Sequence, residues 1–339
     1  MTDREKAGLR GPVRSCMQEY EQRDLYRHST ETIYDVVGNL LVIRSLQPSP
    51  QDWVSTRTYD ATGRLTKISS GKSGEPPAET FYTYDKSGRV SEIQAATNEE
   101  IVRQGATATA MDLSWDASKE EMPAPTSGKV RALYDDAGHP SELQSFDTRG
   151  HLVCKLIRIY DANGRIIEEN QILENPGQVF AQGIPTGQMA KFSDKQLYGL
   201  NEAMKVILRG RKGTGVSYSY DSHGRLAEVR QRNFAFETTT AISYNEHGDK
   251  SEARVSLGPN NVIPPGGCRI DGNGTIIPSE QLPKSASLPS PFGANGDAYL
   301  YTYDYEGYDN YGNWTEQRKV MRMGPETTTI VHRRTLTYF

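Results

Sequence analysis

A short motif, Tyr-Asp-x-x-Gly, recurs along most of the chain and constrains its fold more than any other feature. In the best copies a basic residue and then an aliphatic residue follow the glycine. These copies span residues 59–65, 84–90, 160–166 and 220–226. Looser copies begin at Tyr34, Tyr134, Phe146, Tyr244 and Tyr308. A motif that recurs this often indicates a repeated structural unit.

The motif has the chemistry of a tight turn between two strands. Its aspartate can accept a hydrogen bond from the backbone two residues further on, and its glycine supplies the positive φ that closes a type I turn followed by a bulge. A β-branched residue in place of Gly63 or Gly88 should strain the turn by roughly 1–2 kcal/mol. The turn residues on which this prediction rests are Asp60, Gly63, Asp85, Gly88, Asp161, Gly164, Asp221, Gly224, Asp309 and Gly312.

The spacing of the copies predicts an all-β repeat architecture. Tyr34, Tyr59 and Tyr84 follow one another at intervals of 25 residues. Fixed periods in this range are typical of stacked supersecondary units, none of which buries its apolar side alone. We therefore expect an extended, twisted antiparallel sheet of stacked hairpins.

These units resemble the YD repeats of the Rhs/YD-repeat family, whose related sheets occur in insecticidal toxin-complex shells and in teneurins. The resemblance covers roughly residues 34–314, with gaps. It implies a long antiparallel sheet that spirals, sometimes into a hollow shell. Two departures are visible: the chain is short for a large shell, and it has no Pro-rich, double-Asp signature of the self-cleaving kind.

The pattern along the chain predicts six segments, which together form one elongated domain. They are N-terminal cap strands at 1–33, repeats at 34–170, an insertion at 171–213, repeats at 214–257, a Pro/Gly-rich insertion at 258–298, and the last repeat with a closing strand at 299–339. One helix is expected at about 193–209, because Ser193 and Gln196 form a capping-box pattern and Gly210 would end it. Its apolar side would pack on the sheet as a lid or plug.

Composition excludes several classes of function. The net charge of −4 shows no basic excess for nucleic acid, and the mean hydropathy of −0.67 favours a thin sheet with much solvated surface. Cys16, Cys154 and Cys268 lie far apart without a CxxC pair, so no metal is expected. No cofactor motif and no membrane span are predicted. Residues 1–11 do not look like a signal peptide; the family resemblance nevertheless favours the cell envelope or the outside of the cell.

Two side-chain patterns could carry function. Tyrosines alternate along several predicted strands, either as cross-strand packing or as ligand-contact aromatics; they are Tyr82, Tyr84, Tyr218, Tyr220, Tyr299, Tyr301 and Tyr303. A second ladder recurs at the fourth position after the repeat glycine, either as solvated cross-strand pairs or as glycosidase carboxylates. Its members are Lys67, Glu92, Glu142, Glu168, Glu228, Glu252 and Glu316.

The sequence favours a non-enzymatic protein whose sheet presents a surface to a glycan or protein partner. A first alternative is a shell or scaffold component that encloses or carries another polypeptide. A second is a polysaccharide hydrolase that depends on Glu228 or Glu252. No particular oligomeric state is predicted.

Overall fold

The computed structural model describes most of the chain in eleven stretches. They are residues 2–22, 26–46, 53–72, 74–95, 128–147, 150–174, 215–232, 236–259, 268–270, 276–278 and 297–339. The helix expected at 193–209 lies outside the described residues, as does most of the two insertions.

The described elements are nearly all strands. They are α1 (Asp3–Lys6), β1 (Val13–Gln22), β2 (Tyr26–Tyr34), β3 (Leu40–Ser45), β4 (Trp53–Tyr59), β5 (Leu65–Lys72), β6 (Ala78–Tyr84), β7 (Val90–Ala95), β8 (Lys129–Tyr134), β9 (Pro140–Phe146), β10 (Leu152–Tyr160), β11 (Ile166–Leu173), β12 (Gly215–Tyr220), β13 (Leu226–Arg232), β14 (Phe236–Tyr244), β15 (Lys250–Pro259), β16 (Cys268–Ile270), β17 (Ile276–Pro278), β18 (Asp297–Tyr308), β19 (Trp314–Met323) and β20 (Glu326–Tyr338). The all-β expectation is therefore confirmed for the described residues.

Eighteen of these strands belong to one antiparallel sheet, and β16 pairs only with β17. Strand β1 pairs with β2 on one side and with β20 on the other. The pairing thus closes on itself, and in its connectivity the sheet is an antiparallel β-barrel. The expectation of an open sheet is wrong, because β1 and β20, which would have been its free edges, satisfy each other's backbone groups.

The chain comprises two compact units, which are described separately. Unit 1 contains Met1–Tyr82, Thr240–Val255 and Asp297–Phe339. Its buried core includes Leu9, Val13, Cys16, Tyr34 and Leu40. Unit 2 contains Thr83–Thr239 and Ser256–Gly296, and one buried cluster in it consists of Val130, Ala132, Leu143, Cys154 and Leu156.

The repeated turn has one geometry throughout. In the copy at 59–65, the Asp60 amide donates to the Arg64 carbonyl at 2.9 Å and the Gly63 amide donates to the Asp60 carbonyl at 3.0 Å. Gly63 has a φ of 83°. The same two backbone bonds occur in nine described turns, whose first residues are Asp35, Asp60, Asp85, Asp135, Asp147, Asp161, Asp221, Asn245 and Asp309.

A bulge beside six of these turns explains an irregular apolar spacing of three residues in the sequence. In the turn between β12 and β13, Tyr220 lies opposite Leu226 but Ser219 lies opposite Glu228, so one residue is left over. Because the bulge shifts the alternation by one, Leu226 and Val229 reach the same buried face, at 9% and 2% exposure. Period-two alternation resumes beyond it.

Residues from the two ends of the chain together reproduce one repeat turn. Tyr338 lies opposite Val13, with a register shift before Ser15. The Phe339 amide donates to the Pro12 carbonyl at 3.1 Å, and Gly11 has a φ of 76°. In the copy at 59–65 the same relations hold: Tyr59 lies opposite Leu65, the Asp60 amide donates to the carbonyl before Leu65, and Gly63 has a positive φ. We call this arrangement the split turn.

Candidate functional site

In each unit, one face of the strands carries partly exposed charges in ion pairs, either between neighbouring strands or within a strand; we call it the charged face. It includes the glutamate ladder: Glu92 binds Lys129 at 3.2 Å and Arg131 at 3.4 Å. Other ladder pairs are Lys67–Glu79, Arg232–Glu168, Arg230–Glu228, Arg254–Glu252 and Arg333–Glu316. Glu228 and Glu252 are each 39% exposed. Carboxylates in this setting are solvated partners of cations, and they lack the desolvated environment of a glycosidase acid.

In the motif copies that have an arginine after the glycine, the aspartate and the arginine form one hydrogen-bonded unit. In the turn after β6, Asp85 accepts the Arg89 backbone amide at 2.9 Å and the Arg89 Nε at 2.8 Å. The Arg89 backbone amide, followed by its guanidinium, holds the pKa of Asp85 below its ordinary value. Asp161 and Arg165 repeat these bonds. The charges of the motif aspartate and arginine are therefore paired with each other within the turn.

That arginine also joins its turn to the next hairpin. The Arg89 guanidinium lies 4.3 Å from the ring centre of Tyr134, and Arg165 lies 4.5 Å from that of Tyr220. Where histidine takes the place of arginine the contact persists, since His139 stacks on Tyr160 at 4.6 Å. Consecutive hairpins in unit 2 are thus linked by a cation or imidazole on a tyrosine ring.

The motif tyrosine makes a second link through its hydroxyl. Tyr220 donates to the Ile166 carbonyl at 2.7 Å, and Ile166 follows the turn glycine of the preceding hairpin by two residues. Four more tyrosines donate to the corresponding carbonyl; the pairs are Tyr59–Leu40, Tyr134–Val90, Tyr160–Pro140 and Tyr305–Lys250. Burial raises the pKa of Tyr220 to about 12, which keeps its hydroxyl a donor.

Several of the seven candidate ligand-contact tyrosines therefore have internal roles. Tyr220 bonds and stacks as described. Tyr218 is buried and donates to Glu169 at 2.6 Å, while Glu169 also accepts Arg158 Nε at 2.8 Å. Burial, and then the charge of Glu169, raise the Tyr218 pKa. Tyr82 and Tyr84 are half-buried and have partners of their own.

The tyrosines of β18 form a different environment in unit 1. Tyr299 and Tyr301 stack with ring centres 6.3 Å apart. Tyr303 lies opposite Lys319, whose Nζ is 4.7 Å from the Tyr301 ring centre and 5.8 Å from that of Tyr303. This strand keeps the aromatic row expected from the sequence and adds a cation to it.

Two further basic residues share this face. His332 lies opposite Gln317, which is two residues from Lys319 on β19, and Arg334 is two residues further along β20. Alternation along a strand places residues of equal parity on one face. We call Tyr301, Tyr303, Lys319, His332 and Arg334 the cationic face. The basic residues of this face were not predicted from the sequence. The alternation from Ile330 to Leu336 would have placed His332 and Arg334 on one face of a strand.

The described residues contain neither a cluster of metal ligands nor a helix that could cross a membrane. No group of three histidine, cysteine or acidic side chains among them could hold a metal ion. Cys16 and Cys154 are both buried free thiols. No helix within the described stretches has the length and apolar character needed to cross a membrane.

Comparisons with known proteins give weak structural similarities. No protein-family model matches the chain, and no curated protein matches it. A porin-like protein from Bacteroides uniformis ATCC 8492 is 12% identical over 97% of this chain and 99% of that chain, with a TM-score of 0.40. A porin-like protein from Bacteroides vulgatus ATCC 8482 is 9% identical over 96% and 98%, with a TM-score of 0.35.

The chain is also similar to TcdB2-TccC3, at 11% identity and a TM-score of 0.33. That similarity covers 92% of this chain but 15% of TcdB2-TccC3. All three TM-scores are low, so these similarities do not indicate a function for this chain.

Proposed function

We propose that this chain is a non-enzymatic YD-repeat protein that binds a glycan or protein partner through the cationic face of unit 1. The observation that carries the proposal is the difference between neighbouring arginines on β20. Arg333, on the charged face, binds Glu316 at 3.0 Å and Glu21 at 3.3 Å. Arg334, on the cationic face, packs 3.6 Å from the Trp314 ring centre, and its buried Nε has no hydrogen-bond partner among the described residues.

The distribution of carboxylates supports a binding role over catalysis. General acid catalysis by glycosidases needs a carboxyl group with a raised pKa beside a second carboxylate. The ladder glutamates are paired on the charged face, and the buried Glu169 is bound by both Arg158 and Tyr218. Neither arrangement supplies a carboxyl group that is free to exchange a proton with a substrate.

We further propose the cell envelope or the extracellular space as its location. The resemblance to YD-repeat proteins motivates this location. The paired charges favour contact of the charged face with water, because lipid-facing strands would present apolar side chains there. Fractionation of the native host, with the protein followed in each fraction by mass spectrometry, tests the location. Recovery from the cytoplasm alone would contradict it.

A binding screen with purified protein tests the function. An array of glycans should yield at least one ligand, and the double variant Tyr301→Ala/Tyr303→Ala should lose it. Tyr311→Ala is the matched control, because Tyr311 is 47% exposed and lies in the turn between β18 and β19, outside the cationic face. Unchanged binding by the double variant would show that the ligand does not bind the cationic face.

A second candidate is the shell or scaffold role, in which the protein encloses or carries another polypeptide. The closed strand pairing favours it, since a sheet without free edges offers no place for further repeats to add. Isolation of the native protein under mild conditions, followed by intact mass measurement, distinguishes the candidates. A stoichiometric second chain supports the scaffold role, and a bound saccharide supports the first proposal.

A further inference from the structure

We infer that the ligand of the cationic face is an acidic polysaccharide, whose carboxylate or sulfate groups pair with Lys319 and Arg334; this inference rests on the proposed binding function. Its starting point is the strand register. Tyr303 lies directly opposite Lys319 on the neighbouring strand, and His332 lies opposite Gln317. Three basic side chains are thereby brought onto adjacent strands of one face.

These cations differ in their partners from three cations on the charged face of unit 1. On the charged face, Lys67, Arg44 and Arg333 each bind a glutamate within 3.5 Å. On the cationic face, Lys319 lies over two tyrosine rings, and Arg334 lies over Trp314. Neither has a carboxylate within ion-pair distance among the described residues. Asp249 acts on Arg334 only at longer range, while its Oδ2 accepts the Tyr308 hydroxyl at 3.2 Å.

The surroundings of these cations contain polar groups but no strand carboxylate. The side chains that share the face on β18, β19, β20 and β1 include Tyr301, Tyr303, Tyr305, Gln317, Met321, Ile330, Leu336, Cys16, Gln18 and Tyr20. His332 is within hydrogen-bond distance of Gln18, at 3.3 Å. Burial lowers the pKa of Lys319, and the charge of Lys250 lowers it further. An anionic group at this face would offset the cost of holding these charges away from water.

The same face fits sugars better than an acidic peptide. Extended peptides commonly bind a sheet by pairing with a free edge strand, but β1 already pairs on both sides. Tyrosine rings and glutamine amides, by contrast, supply the apolar surface and the hydrogen bonds that a sugar ring needs. An anionic sugar satisfies the rings, the amides and the cations together.

Calorimetric titration with three defined polymers tests the inference: polygalacturonate, neutral dextran and poly-glutamate. Polygalacturonate should bind, with an affinity that falls as salt is raised. Lys319→Gln and Arg334→Gln should each weaken it about tenfold, the loss of one charged contact. Arg333→Gln, one residue from Arg334 but on the charged face, is the matched control and should change affinity less than about twofold. Melting temperatures identify any variant that fails to fold, and Lys319→Arg should retain binding.

The outcomes separate this inference from the proposed function. Equal binding of dextran and polygalacturonate would show that the ligand need not be acidic, and would overturn this inference while leaving the proposed glycan binding intact. Binding of poly-glutamate in preference to polygalacturonate would replace the sugar with an acidic polypeptide. If Arg333→Gln weakens polygalacturonate binding equally, the binding site does not lie on the cationic face. If none of the polymers binds, the inference fails, and the proposed function then fails only if the wider glycan array and the native isolation also yield no partner.

Discussion

At the scale of single residues, the turn glycine has a backbone conformation that L residues with a side chain adopt only at a cost. Gly63 has a φ of 83°, and a Cβ built on it would have no other atom within 4 Å. A substitution there meets backbone strain without a steric clash. We therefore predict that Gly63→Ala lowers the free energy of unfolding by about 1–2 kcal/mol. Denaturant titration monitored by circular dichroism measures the change.

Gly63→Asn is the control for this prediction. Asparagine visits the left-handed region more readily than alanine, so this larger side chain should cost less than alanine does. If the two variants lose stability in proportion to side-chain size, the strain argument is contradicted and packing against a neighbour must be responsible.

At the scale of elements, the link between consecutive hairpins is a contact from one motif to the next. Arg165 is bound by Asp161 at 2.6 Å and lies over the Tyr220 ring. A double-mutant cycle with Arg165→Ala and Tyr220→Ala should give a coupling energy of about 0.5–1 kcal/mol, the size of a cation–π contact at a partly exposed site. Thermal or denaturant unfolding of the four proteins measures it.

The matched control for this cycle exchanges the partners. Arg89 lies over Tyr134 rather than over Tyr220, so the pair Arg165→Ala and Tyr134→Ala should be additive. Equal coupling in both cycles would indicate a general effect of removing two large side chains instead of a specific link.

The sequence was sufficient for the turns and insufficient for the roles of the tyrosines. A turn is decided within five residues, so Asp60 and Gly63 could be placed from the motif alone. The partner of a tyrosine hydroxyl lies in another hairpin, 54 residues away for Tyr220 and Ile166, and the sequence carries no local sign of it. The ion-pair partners of the glutamate ladder likewise became visible only when the register placed Glu92 beside Lys129 and Arg131.

At the scale of the whole molecule, the repeated aspartates predict a common sensitivity to acid. The pKa values of Asp85 and Asp161 are lowered, by the Arg89 backbone amide in the first case and by the Arg165 side chain in the second. A carboxyl group whose folded pKa lies below its unfolded value of about 3.9 contributes stability above that pH and loses it as the pH falls. We predict that the unfolding midpoint falls steeply below about pH 4.

The double variant Asp85→Asn/Asp161→Asn should have a shallower loss of stability in acid, because two titrating groups are removed. Asparagine is compatible with the turn: the natural Asn245 accepts the His247 and Asp249 amides at 3.0 and 2.9 Å. Midpoints measured from pH 7 to pH 3 compare the two proteins. Parallel curves would show that other groups govern acid unfolding.

The closure of the sheet was not predicted, because the split turn joins residues more than 300 positions apart in sequence. The motif is not visible around Gly11, because no Tyr-Asp pair stands before Gly11 and Val13 in the sequence. Only the pairing of β1 with β20 brings the two halves into the relation that an ordinary copy has within seven residues.

From the split turn we predict that stability is more sensitive to substitution of Gly11 than of Gly63, although the two glycines have similar φ values. A Cβ on Gly11 would overlap the ring of Tyr311, whereas one on Gly63 meets open space. Gly11→Ala should therefore destabilise the protein more than Gly63→Ala, and hydrogen exchange should accelerate in β1 and β20 together because each is the other's partner. Adding Tyr311→Ala removes the overlap and should restore part of the loss. Faster exchange in β1 with β20 unchanged would mean that the pairing of these strands does not depend on the split turn, and the closure would then rest on the strand hydrogen bonds alone.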